Sequence, residues 1–208
     1  MIEETFDKPD LNPQLTWFNE PEEWAVDTVS HRLVVMPGAG TDFWQKTHYG
    51  FRADNGHFLR ARVTGDFVMT VEVFFHPRHQ YDQAGLMVRF SAGCWLKTSV
   101  EYEPEGPAKL GVVVTAGGFS DWSVRDFPRE HNSVELRVRR EGADFLVDSR
   151  ESAAAEWNMI RMAHLAGVEG KEAQCGLYAC SPKAAGFRAE FAGLEIMPAA
   201  ALHQLDRL

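Results

Sequence analysis

Long apolar runs are missing from this chain of 208 residues. No stretch approaches the ~18 consecutive apolar residues that cross a bilayer as a helix, so no membrane span is expected. The amino terminus, MIEETFDKPDLNPQL, lacks both the basic start and the apolar centre of a secretion signal. Basic residues are outnumbered too: 21 Lys and Arg stand against 30 Asp and Glu, a formal charge of −9. Without a basic stripe, nucleic acid and anionic membranes are not expected partners, because both would repel such a surface. A polar ligand such as a sugar is not excluded. Cysteine is scarce, with only Cys94, Cys175 and Cys180. There is no CxxC pair. In CGLYAC an odd separation puts Cys175 and Cys180 on opposite faces of a strand, so three reduced thiols and a cytoplasmic location are expected.

Signature motifs of catalysis and nucleotide binding are also missing. The glycines form neither G-x-G-x-x-G nor a phosphate-binding loop, so no cofactor is indicated. There is no G-x-S-x-G elbow, and Ser120-Asp121 has no nearby histidine, which removes an acyl-transfer triad. His76 and His79 in HPRHQYD do not complete a metal set. Asp42, Asp54 and Asn55 are oxygen donors, but the oxygen-rich loop of a calcium site is not evident. No metal site is expected.

What the chain has is a period of two. In DFVMTVEVFF, Phe67, Met69, Val71, Val73 and Phe75 share one face, and in SVELRVRR, Val134, Leu136 and Val138 oppose Glu135, Arg137 and Arg139. This is the pattern of antiparallel strands with one wet side. WAVDTV, HRLVVMP, HFLRARV, AKLGVVVTA, ADFLVDS, AQCGLYACS and FRAEFAGLEIM add further strands. Turn signals such as Asp54-Asn55-Gly56, Ala92-Gly93, Gly117-Gly118 and Glu141-Gly142 separate them. The expected fold is all-β, a jelly-roll sandwich of two antiparallel sheets with about six or seven strands each, in one domain spanning residues 1–208. Helix is expected only at the margins, over Ala153–Ala166 and in the tail AAALHQLDRL.

The stretch Tyr81–Tyr102, YDQAGLMVRFSAGCWLKTSVEY, reads as a hairpin turning at Ala92-Gly93. Ala84, Leu86, Val88 and Phe90 join Leu96, Thr98, Val100 and Tyr102 on a face built for the core. The opposite face mixes Gln83, Met87 and Arg89 with Trp95, Lys97, Ser99 and Glu101. Such a face is either solvated, with cross-strand pairs of Lys97 or Arg89 to Glu101, or the floor of a polar pocket. Tryptophan among these polar groups favours the pocket. Lys97 and Glu101 lie four residues apart, about 13 Å along a strand, so each is expected to meet a cross-strand neighbour or a ligand.

YDQAGLMVRF and CWLKTSVEY, together with TDFW (Thr41–Trp44), SDWSV (Ser120–Val124) and GLYACSP ending at Pro182, occur here in order. Together they resemble an uncharacterised-domain family, domain of unknown function 1349, that includes the yeast regulation-of-enolase protein. The resemblance runs from about Trp17 to Met197. It implies the concanavalin A-like sandwich of lectins and glucanases, with a concave face able to hold a sugar, and no established reaction. By matching motif it adds Asp42, Trp44, Asp121 and Trp122 to Gln83, Lys97 and Glu101. SRESAAAEWNMIR departs from the expected pattern: Ser149, Trp157 and Arg161 fit loosely, and the loop there is rebuilt. The glucanases' longer acidic strand signature is not matched by EYEPE, although Glu101 and Glu103 are spaced about 6.7 Å apart on a strand, within the range of paired glycosidase carboxylates.

Three functions are therefore compared. The first is a binding protein for a carbohydrate or related polar metabolite, with Trp44, Trp95 and Trp122 as stacking platforms and Gln83, Arg89, Lys97, Glu101 and Asp121 as polar contacts. The second is a glycan-acting enzyme using Glu101. The third is a regulatory or interaction protein of metabolism without a small ligand. Oligomeric state is not legible.

Overall fold

A computed structural model describes residues 1–201. In chain order the first strands are β1 (Ile2–Glu4), β2 (Thr16–Phe18), β3 (Glu23–Asp27), β4 (Arg32–Met36), β5 (Phe43–Gln45) and β6 (Arg52–Asp54). There follow β7 (His57–Val63), β8 (Phe67–His76), β9 (Gln83–Ser91), β10 (Cys94–Glu101), β11 (Ala108–Ala116) and β12 (Phe119–Phe127). The last are β13 (Ser133–Glu141), β14 (Asp144–Arg150), β15 (Asn158–His164), β16 (Ala173–Cys180) and β17 (Arg188–Pro198). The first sheet has eight strands, in the order β15-β14-β13-β8-β17-β4-β3, with β1 also on β17; the second has seven, β12-β11-β10-β9-β16-β7-β2. All pairings between named strands are antiparallel, and β5 and β6 form a separate hairpin.

The core follows from the pleat. Met69, Val71 and Val73 of β8 and Leu136 and Val138 of β13 meet Leu86, Val88, Leu96, Val112 and Leu177 from the second sheet, all with almost no exposure. Deleting one of these large side chains would cost about 2–5 kcal/mol. Trp17 on β2 and Trp24 on β3, both edge strands, pack at a tilt with ring centroids 5.6 Å apart and close one side of the sandwich. On the opposite side β12 and β15 are joined by Asp121 and Arg161, 2.9 Å apart. Gly117 and Gly118, between β11 and β12, have φ of 59° and 77°. Two successive positive angles are what a tight hairpin turn needs, and they favour glycine. Gly85 answers a different need: a Cβ there would stand 1.9 Å from the carbonyl oxygen of Thr98.

The all-β sandwich is as expected, with one 3₁₀ turn, Ala199–Ala201, as the only helix among the described residues. Residues 153–166 contain β15, an edge strand on β14, and a register irregularity that leaves Ile160 unpaired lets Ile160 and Ala163, three residues apart, both pack on the core. The rest of the tail lies outside the described residues. No described helix is long and apolar enough to cross a membrane. Cys175 faces the inter-sheet core and Cys180 the opposite side; both are free and buried, which pushes both thiols up.

Candidate functional site

The outer face of the second sheet is covered over part of its area by the β5–β6 hairpin. Beneath the hairpin lies a second apolar cluster, built from Phe43 and Trp44 above and Phe58, Met87, Trp95, Val113, Tyr178 and Cys180 below. Two polar links hold the hairpin to the sheet, and a third closes its base. Arg89 on β9 donates from both guanidinium arms to Asp54 on β6, each at 2.8 Å. The backbone N–H of Gln45 donates to Ser120 Oγ at 2.9 Å, and Ser120 in turn meets Thr115 Oγ1 at 2.7 Å. Asp42 and Asn55 close its base, with the Asp42 N–H donating to Asn55 Oδ1 at 3.1 Å.

Where the hairpin stops, the sheet face opens into a groove of about 690 Å³. Its floor is one hydrogen-bonded network. Gln83 stands opposite Glu101 in the β9–β10 register, so their side chains meet without any bending of the sheet. The Gln83 amide donates to Glu101 Oε2 and to the Tyr81 carbonyl, both at 3.1 Å. Its oxygen accepts from Lys97 Nζ at 2.8 Å and from Tyr178 OH at 3.2 Å. All four valences of the amide are used, which fixes its orientation. Lys97 is 3% exposed and also donates to Asp42 Oδ1 at 3.3 Å. An ammonium carries three donors, and the third finds no acceptor among the described residues. Glu101 Oε1 is likewise without a protein partner there. Burial pushes the Glu101 carboxyl up to about 8; Lys97 opposes the shift, while Asp42 and Glu103 add to it. Glu101 keeps a little solvent contact at the groove floor, so its free oxygen can be reached. Trp44, Tyr49 and Phe51 of the hairpin and Trp122 of β12 line the walls, with Trp44 and Tyr49 5.6 Å apart.

Of the residues singled out in the sequence, the groove brings together Asp42, Trp44, Gln83, Lys97, Glu101 and Trp122. Three are placed elsewhere. Trp95 is on the same face but has no exposure; it lies under Phe43, with its indole N–H on the Ala92 carbonyl, and is not a stacking platform. Arg89 is committed to Asp54 and holds the hairpin. Asp121 has the opposite parity to Trp122, points away from the groove and pairs with Arg161. The expected contact of Lys97 or Arg89 with Glu101 is replaced by the bridging Gln83 amide. Glu103 lies beyond β10 and accepts from Gln80, outside the groove. Trp157 and Ser149 are also remote from it. His76 pairs with Glu190, and among the described residues no group of three or more His, Cys, Asp or Glu converges as metal ligands.

Tyr49, Phe51, Arg52, Tyr81 and Lys183 line the groove but were not legible as site residues. Tyr49 and Phe51 carried one signal: aromatic residues on a short, turn-rich segment beside TDFW.

Known proteins agree with this architecture. A protein named regulation of enolase protein 1, from Saccharomyces cerevisiae, is 33% identical over 195 residues, covering 93% of this chain and 95% of that one. A crystal structure of a functionally unknown protein from the same yeast superposes with a TM-score of 0.81 and 31% identity, covering 89% of this chain and 96% of that chain. The GH43 protein BlXynB of Bacillus licheniformis has a TM-score of 0.73 at 18% identity; the match covers 94% of this chain and 39% of that one, and it speaks to the fold alone. The family model described as protein of unknown function, DUF1349, matches residues 17–199, and the chain belongs to that family.

Proposed function

We propose that this is a single-domain cytoplasmic protein that binds a carbohydrate or related polar metabolite in the groove of its second sheet. One observation carries the reading: a polar floor of Lys97, Gln83 and Glu101 lining the groove, in which the Gln83 amide is fully bonded while Lys97 keeps one donor and Glu101 one oxygen without a partner among the described residues. A sugar hydroxyl, both donor and acceptor, would satisfy them. Aromatic walls suit the apolar face of a pyranose ring. The compartment is supported by three free thiols. A thermal-shift screen against neutral and charged monosaccharides tests the proposal. A ligand at a hundredfold excess over its Kd raises stability by about 2.7 kcal/mol, and that gain should be lost in Lys97→Met judged against its own baseline. A screen with no shift removes the reading.

The second reading is a glycan-acting enzyme. It is favoured by the Glu101 carboxyl near 8, a value suited to giving up a proton at neutral pH. Turnover of the screened sugars that falls about 100-fold or more in Glu101→Gln, with affinity little changed, would support it over simple binding. The yeast relative's name adds a regulatory role, which binding of a metabolite would serve.

A further inference from the structure

The charge of the groove is opposite to that of the chain around it. Three cations line it, Arg52, Lys97 and Lys183, with three carboxylates, Asp42, Asp54 and Glu101. Asp54 is neutralised from behind by Arg89, and Asp42 by Lys97. Burial keeps Glu101 mostly protonated at neutral pH. What remains uncompensated is Arg52, on the hairpin, and Lys183, beyond β16. Both are exposed and neither forms an ion pair among the described residues. The buried Lys97 adds an unpaired N–H on the floor, and the Glu101 carboxyl adds a second donor. The groove therefore presents donors and positive charge within a protein of net charge −9.

Building on the binding reading, we infer that the ligand is an acidic sugar derivative, a sugar phosphate or a uronate, whose acid group is met by Arg52 and Lys183. Its ring hydroxyls face the Lys97–Gln83–Glu101 floor. The chain's overall negative charge makes this attraction local, so affinity depends strongly on salt. Raising the pH ionises Glu101 and places a negative charge beside the ligand. The groups that face Glu101 are Lys97 on its own strand, Lys109 on β11, Tyr178 and Cys180 on β16, and Asp42, Tyr81 and Glu103 on the flanking loops. Lys109 is held by Asp126 at 2.6 Å, and Glu101 is the group that burial pushes up to about 8.

Calorimetry with glucose, galactose and xylose, their phosphates, the matching uronates and glucosamine tests this inference. The acid forms should bind at least about tenfold more tightly than the neutral parents at low salt. The gap should shrink in Arg52→Gln combined with Lys183→Gln, two exposed positions where the fold is not at stake. Uronate affinity should fall as the pH passes about 8, and this fall should be absent in Glu101→Gln. The uronate carboxylate does not titrate in that range, so the change belongs to the protein. If a neutral sugar or glucosamine binds as tightly as the acid forms, or the double variant keeps the full gap, the inference fails and the binding reading stands. If no member of the panel binds, both fail.

Discussion

The two outer faces of the sandwich have the same polar-apolar alternation and different fates. On the first sheet, Glu135, Arg137 and Arg139 of β13 project outward, as Gln83, Arg89, Lys97 and Glu101 do on the second. The arginines of the first sheet close on their own neighbours: Arg150 on Glu135, and Arg137 and Arg139 both on Asp148 at 2.9 and 3.3 Å. Trp157 lies across them, with Arg137 and Arg150 each 4.4 Å from its ring. The second sheet instead carries the β5–β6 hairpin, which buries part of its outer face and leaves a polar floor beside it. Alternation locates a face; a covering element turns that face into a site.

If the faces differ in this way, cutting the buried cation should hurt far more than cutting its counterpart. Lys97→Met leaves Asp42 without its cation and Gln83 Oε1 short of a donor in a buried setting. A loss of about 2–4 kcal/mol in urea unfolding is expected. Arg137→Met, partly exposed and backed by Arg139, should cost about 1 kcal/mol or less. Equal losses would mean that the two faces are energetically alike.

A second distinction is pH. The folded state holds the Glu101 proton more tightly than the unfolded chain, where the carboxyl returns to 4.5. Its contribution to stability is therefore full below about pH 4.5 and is lost as the pH rises through about 8. Glu101→Gln carries no such loss. Its stability relative to wild type should climb by about 1–3 kcal/mol between those limits, the full shift being reduced by the solvent contact Glu101 retains. A flat difference between the two unfolding curves across that range would place the Glu101 carboxyl near its ordinary value.

The legible and illegible parts of the molecule divide along the same line. Strand parity put Gln83, Lys97 and Glu101 on one face because a pleat allows only two, and the β9–β10 turn set their register. Parity alone also separates Trp122 from Asp121, yet the SDWS motif taken as a unit admitted both. What parity cannot tell is depth: Trp95 shares the face of Lys97 but is sealed by Phe43, a residue more than 50 positions away. The hairpin itself was hidden because strands of three residues are too short for a period to show. The strand at Asn158–His164 was hidden for another reason, as alanine-rich sequence around it reads as helix.

The hairpin can be loosened without touching the floor. The Gln45 N–H donates to Ser120 Oγ, which is buried. Ser120→Ala should cost about 1–2 kcal/mol by leaving that N–H unsatisfied. Hydrogen exchange of the Gln45 amide should accelerate more than that of core amides such as Leu86. Uniform acceleration would mean that hairpin and sheet open together.

The smallest effect is expected at Asp121, which motif resemblance places in the site and geometry places outside it. Its carboxylate is about two-thirds exposed and meets Arg161 at the seam between β12 and β15. An exposed pair of this kind is worth under about 1 kcal/mol, and salt screens what there is. Asp121→Ala should therefore lower stability by less than that at low salt and by nothing measurable at high salt. Its effect on ligand affinity is the sharper measurement. On a pleated strand Asp121 cannot reach the groove while Trp122 lines it, because successive side chains leave the sheet on opposite sides. Affinity for whichever sugar the screen returns should be unchanged in Asp121→Ala and reduced in Trp122→Ala. A loss in Asp121→Ala comparable to that in Trp122→Ala would show that β12 changes register when ligand binds, since only a one-residue slip exchanges the two faces of a strand.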